Sequence, residues 1–184
     1  PPFVMSSELV TAAKALLDES GLADLGPGPR PEAEDLPALN GKIDALFQQH
    51  GRPRKAELIR SLILLWHDHL EPSHCLSQDE HNPDGSLVHA IMHRREPDYS
   101  NAKYWWRSTG DHVCFPGIAA KVQSLVADDE SLAEQIIRDG AWDAYAFTDA
   151  VSQGIRESAD SPRHQLLKKV QRAETDAVLE HLAT

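Results

Sequence analysis

KAELIRSLILLWHDHL, residues 55 to 70, decides the fold. Leu58, Ile59, Leu62, Ile63, Leu64, Leu65 and Trp66 leave no polar face on a 3.6-residue helix, and such a helix has to be enclosed by others. The stretch therefore predicts the buried central helix of an all-α domain, ended or kinked by Pro72. Its apolar run from Leu62 to Trp66 is the longest in the chain and far below the eighteen or more residues of a membrane span.

Outward from this helix, further helical patterns follow. SSELVTAAKALLDESG places Leu9, Ala12, Ala13, Leu16 and Leu17 on one face, with a serine start and Gly21 as a stop. ADLGPGPRPEAED reads as a wrapping loop, and LPALNGKIDALFQQHG as a second helix ending near Gly51 before the break at Arg52 and Pro53. HNPDGS reads as a turn. SLVHAIMHRRE is a short helix that has to stop before Pro97, and Asp98 or Ser100 caps SNAKYWWRST, which stops at Gly110. PGIAAKVQSLVA, DESLAEQIIRDG, AWDAYAFTDAVSQGIRES and SPRHQLLKKVQRAETDAVLEHLA read as four more helices, with Asp129 and Ser161 as N-caps. No segment alternates with period two, so no strand is expected. The expectation is one all-α domain over residues 1–184, a helical bundle, with Pro1 to Val4 an expression remnant ahead of Met5.

The 184 residues carry a net charge of −11, which argues against a nucleic-acid or anionic-membrane surface. The opening PPFVMSSELV lacks the basic and apolar regions of a secretory signal, and two cysteines make no disulfide framework; both point to the cytoplasm. Against this acidic background, His89 to His112 holds Arg94, Arg95, Lys103 and Arg107 with three histidines. That window is neutral to positive and would draw an anion.

Three clusters carry the chemistry. In WHDHLEPSH, His67 and His69 extend the apolar stripes of the central helix inward, near Asp68 and Glu71. His89, His93 and Glu96 fall at i, i+4 and i+7 along one helix face, with Arg94 and Arg95 on its flanks. Tyr104, Trp105, Trp106 and Arg107 fan around the next helix, where a guanidinium beside indoles suits a carboxylate, phosphate or sulfate. These residues are also written for a metal. Glu71 and His74 have i, i+3 spacing, although Pro72 interrupts them, and His89 and His93 have the i, i+4 spacing of helical zinc or iron ligands. The four arginine and lysine charges oppose a divalent cation there.

The block LLWHDHLEPSH, HAIMHRREPDYSNAKYWWR and GDHVCFPGI, over about residues 62 to 118, resembles an uncharacterised family of bacterial and fungal proteins that carry HAIMHRRE, DYSNAKYW and GDHP; here His112 is followed by Val113 instead of proline. The chain is also similar in character to the cofactor-independent proteins of aziridine-antibiotic biosynthesis, which close a three-membered ring by expelling sulfate. That resemblance implies a reaction type and no residue roles.

The leading expectation is thus a metal-free lyase or cyclase acting on a small anionic metabolite. Arg94, Arg95, Arg107, His93 and His112 hold the anion, and Tyr104 and Trp106 shape the pocket. His67 or His89 is the base, oriented by Asp68 or Glu96, because imidazole titrates near neutrality. One alternative is a metal-dependent hydrolase or oxygenase with zinc or iron on His67, His74, His89 and His93. The other is a non-catalytic ligand-binding or subunit-interaction domain, with a homo- or hetero-oligomer open in each case.

Overall fold

The computed structural model describes residues 2–184, with side chains from Ser6 onward. Among the described residues, ten helices form a single all-α bundle: α1 (Pro2–Asp18), α2 (Leu36–His50), α3 (Ala56–Trp66), α4 (Leu70–Gln78), α5 (Pro83–Arg95), α6 (Tyr99–Thr109), α7 (Phe115–Leu125), α8 (Glu130–Ile136), α9 (Ala144–Gly154) and α10 (Pro162–Leu182). As expected, α3 lies at the centre, packed by α1, α2, α4, α5 and α10, and every residue from Ser61 to Trp66 is buried. The apolar faces of these helices close one continuous core from Leu9 to Leu182. The assignment of Pro1–Val4 as a remnant concerns residues whose side chains are outside the described ones.

Several boundaries differ from the sequence reading. The central helix ends at Trp66 instead of running to Leu70: Asp68 adopts a left-handed φ of 68° and turns the chain into α4. Pro72 falls in the first turn of α4, where its missing N–H removes no helical hydrogen bond, so it neither ends nor kinks the helix that carries His74. HNPDGS is likewise no turn. Asn82 caps Gly85 N at 2.9 Å and Pro83 opens α5, a pairing of N-cap and first-turn proline that was present in the sequence. Asp98, Asp129 and Ser161 cap their helices as read.

Within the all-α bundle one short element is not helical. Ile137–Arg138 (β1) pairs antiparallel with Ala141–Trp142 (β2), joined by Asp139 and Gly140 at φ 52° and 78°. Asp-Gly with both residues at positive φ is the tight hairpin turn that matches strand twist. The helix expected over DESLAEQIIRDG therefore stops at Ile136.

Helix α5 is buried along its length from Gly85 to Arg95 despite its polar composition, so its charges must be answered inside the protein. They are. Arg94 forms a two-pronged bond with Glu174 of α10, Nη1 to Oε2 at 2.9 Å and Nη2 to Oε1 at 2.6 Å, with both side chains wholly enclosed and the guanidinium 4.6 Å from the Phe147 ring centre. Arg95 donates to Asp68 Oδ1 at 2.7 Å and to the carbonyls of Gly26 and Leu65. Arg30, from the wrapping loop, takes the other Asp68 oxygen through its backbone N–H at 2.8 Å and its Nε at 2.9 Å, and donates to the carbonyls of Ser20, Leu22 and Trp66. Gly28 makes room for this carboxylate. A Cβ there would stand 2.8 Å from Asp68 Cγ, and its φ of 72° already favours glycine.

Burial pushes the Asp68 carboxyl upward in pKa, but the Arg30 hydrogen bonds and the charges of Arg95 and Arg30 outweigh it and hold the group below the usual range. A carboxylate depressed in the folded state stabilises the fold above the unfolded pKa of about 3.9, and that contribution is lost as pH falls through the folded value. Asp68→Asn leaves two buried guanidinia without a counter-charge and should cost about 3–5 kcal/mol at pH 7 by urea unfolding. The same variant should show a shallower loss of stability below about pH 4 than the wild type.

Candidate functional site

Three histidines converge where α4, α5 and α6 meet. His74 comes from α4, and His89 and His93 stand one turn apart on α5. The rings of His89 and His93 stack with centres 4.7 Å apart, and His74 meets them edge-on at 4.7 and 5.3 Å. One nitrogen from each of the three lies within 4.8 Å of the other two. Tetrahedral zinc with bonds of 2.0–2.1 Å requires nitrogens about 3.4 Å apart, so side-chain rotations of roughly 1 Å would close the set on an ion.

The supports around this trio are specific. Glu96 Oε2 lies 2.6 Å from His93 Nδ1, at the end of α5, where the chain turns through Pro97 and Asp98 N bonds back to the His93 carbonyl at 2.8 Å. A carboxylate on Nδ1 places the His93 proton there and leaves Nε2 as a lone pair, the arrangement that orients imidazole toward a metal. Trp105 of α6 stacks on His89 at 4.0 Å, with ring planes 20° apart. His89 is buried, yet neither of its nitrogens has a hydrogen-bond partner. Burial first, then the charges of His93 and His74, push its pKa down to about 4, so it is a neutral ring near pH 7. The trio is reached from the side of half-buried His74 and exposed Glu96.

The other expected site residues lie elsewhere. His67 caps the end of α3 and gives Nε2–H to the Leu16 carbonyl at 2.9 Å, which sets it against α1 and away from the trio. Burial lowers its pKa, with the Leu16 bond partly opposing. Asp68 does not orient it, being enclosed between Arg30 and Arg95. Arg94 and Arg95 were expected to grip an anion, but both are buried and matched by Glu174 and Asp68. They flank His93 in sequence and point into the bundle. Arg107 is exposed, with its guanidinium 5.7 Å from the ring of Tyr104, itself an exposed residue. Trp106 is core, its Nε1 bonded to Thr148 Oγ1 at 2.9 Å. Of the expected residues, the structure brings together His74, His89, His93 and Glu96.

His112 belongs to a second cluster. Asp84 Oδ1 takes His112 Nε2 at 2.8 Å and His181 Nε2 at 2.6 Å, and Lys55 Nζ lies 3.0 Å from Oδ2. Two histidines and a carboxylate are a metal-binding set on paper. The hydrogen bonds oppose it: Cys114 N donates to His112 Nδ1 at 3.2 Å, which puts the ring proton on Nε2, directed at Asp84. This network fastens the end of α10 to the start of α5. Burial raises the Cys114 thiol to about 12, so the sulfur 3.1 Å from His112 Nδ1 is a neutral thiol.

Glu174 and Asp84 were missed in the sequence. Glu174 had a signal, since it lies four residues from both Val170 and Val178 on the apolar stripe of α10, where an acid needs a buried partner. No protein-family model, curated protein or solved structure matches the chain. No helix among the described residues is long and apolar enough to cross a membrane.

Glu174→Ala should leave Arg94 buried and unmatched and cost about 3–5 kcal/mol in chemical unfolding. Its effect on the trio should be small, read as unchanged imidazole C–H resonances of His74, His89 and His93. Large shifts there would mean that the arginine pair and the histidines act as one unit.

Proposed function

We propose that the chain is a metal-dependent hydrolase whose ion, zinc in the first instance, is held by His74, His89 and His93. The observation that carries this reading is His89: a buried imidazole with two unpartnered nitrogens, stacked in place by Trp105 beside two further histidines. A buried polar group without a partner costs about 1–3 kcal/mol, and an ion that takes the His89 lone pair removes that cost at one of its two nitrogens.

The donor set favours zinc over iron. Three histidines match the protein ligand set of catalytic zinc, whereas the iron oxygenase pattern takes a carboxylate into the first ring of ligands. Glu96 instead bonds His93 at Nδ1, which leaves Nε2 as the donor to an ion. When bound, zinc supplies a water acidified to a pKa of about 7 as a nucleophile. The chain's part is to keep His89 neutral by burial, to orient His93 through Glu96, and to cover His89 with the Trp105 indole.

Of the arginine charges that weigh against a cation in the sequence, Arg94 is paired with Glu174, and Arg95 shares the Asp68 carboxylate with Arg30. The competing reading is the metal-free loss of sulfate or phosphate implied by resemblance to the aziridine-forming proteins. It needs free guanidinia at His93, and these two are committed elsewhere.

Purified protein titrated with zinc should bind one equivalent by elemental analysis after desalting, and His89→Ala and His93→Ala should retain none. Glu96→Gln should weaken binding by about 10- to 100-fold. The zinc-loaded protein should hydrolyse p-nitrophenyl acetate with a rate that rises through about pH 7, and chelation should remove the activity. Absence of stoichiometric zinc, iron, cobalt or nickel, together with sulfate binding that needs Arg107, would reverse the ranking in favour of the lyase.

A further inference from the structure

Helix α6 has the histidine trio on one side and a cavity on the other. Trp105 faces His89, whereas Trp106 and Arg107 line a cavity of about 560 Å³ closed by the start of α7, the β1–β2 hairpin and the start of α9. That volume lies within the usual range for small-molecule sites. Its walls are aromatic: Trp106, Phe115, Trp142 and Tyr145 all contribute. Trp142 is buried and its indole N–H has no partner, while Tyr145 is 39% exposed at the mouth.

The charges at this cavity sort into a matched pair and an unmatched pair. Arg138 Nε lies 3.3 Å from Asp143 Oδ2, and Asp143 also caps α9 through Ala146 N at 2.8 Å, so both of these groups are occupied. Arg107 and Asp111, at the end of α6 and just beyond it, are different. Both are exposed and line the cavity, and among the described residues neither forms an ion pair or a side-chain hydrogen bond, with each other included. The cavity thus offers one free guanidinium and one free carboxylate beside aromatic walls, with no net charge from its two arginines and two aspartates. A simple anion would gain from Arg107 and lose to Asp111; a simple amine would do the reverse.

We propose that this cavity binds a small zwitterion with an aromatic body, the chemistry of an aromatic amino acid. Its carboxylate meets the Arg107 fork, its ammonium meets Asp111, and its ring lies against Trp142 and Tyr145. The site is independent of the metal, because α6 stands between the two and no residue lines both.

Isothermal titration calorimetry of the full chain with L-phenylalanine, 3-phenylpropionate and phenethylamine tests it. L-Phenylalanine should bind saturably, and each analogue, lacking one charged group, should bind roughly tenfold more weakly. Arg107→Gln should erase the advantage over phenethylamine, Asp111→Asn the advantage over 3-phenylpropionate, and Tyr145→Ala should weaken all three. Circular dichroism should show all three variants folded, and their zinc content should match the wild type, so this site and the histidine trio stand or fall separately. No saturable heat with L-phenylalanine up to roughly 10 mM, above the usual range of metabolite affinities, overturns the proposal. Tighter binding of either analogue, or wild-type binding by both charge variants, overturns it as well.

Discussion

One carboxylate, Asp68, joins three parts of the chain by charge. It sits at the break between α3 and α4, takes Arg30 from the wrapping loop on one oxygen, and takes Arg95 from the end of α5 on the other. The remaining guanidinium N–H groups are absorbed by backbone carbonyls, which is how two cations can be enclosed around one anion. The left-handed turn at Asp68 is what aims the carboxylate inward, and Gly28 leaves the space for it. With Arg94 held by Glu174, α5 is pinned to both the centre and the far side of the bundle. A helix this polar then lies buried, and its other face carries His89 and His93 to α4 and α6.

Much of the bundle was legible because it depends on local patterns. A helix without a polar face has to be central, and α3 is; N-caps at Asp98, Asp129 and Ser161 follow from side chains that reach a nearby amide. The misreadings share a cause. Asn82-Pro83 and Asp139-Gly140 were taken for generic turn and helix-end residues, whereas one opens α5 and the other closes a hairpin. Both had recognisable chemistry.

The site was legible in composition and not in connectivity. Histidines at i, i+4 on α5 were on the page, but His74 joins them only because α4 restarts beyond Asp68 with Pro72 harmless in its first turn. The arginines misled, since nothing local to Arg94 or Arg95 shows that Glu174, 80 residues away from Arg94, and Asp68 will enclose them. Cations that read as anion binders are instead the counter-charges of buried acids. With Arg94 paired to Glu174 and Arg95 turned to Asp68, the electrostatic objection to a metal is reduced. What remains beside the histidines is Glu96, with Asp98 and the Asn101 amide, at His93 and one indole against His89.

Arginines that hold the fold stand apart from the three histidines proposed to hold an ion. Anomalous scattering at the zinc edge, from crystals grown with zinc, tests this separation most directly. The account predicts one strong peak about 2.0–2.1 Å from a nitrogen of each of His74, His89 and His93, with Glu96 still on His93 Nδ1. A peak on Asp84, His112 and His181 with that trio empty, or a tetrahedral anion among the three rings in place of zinc, would contradict it.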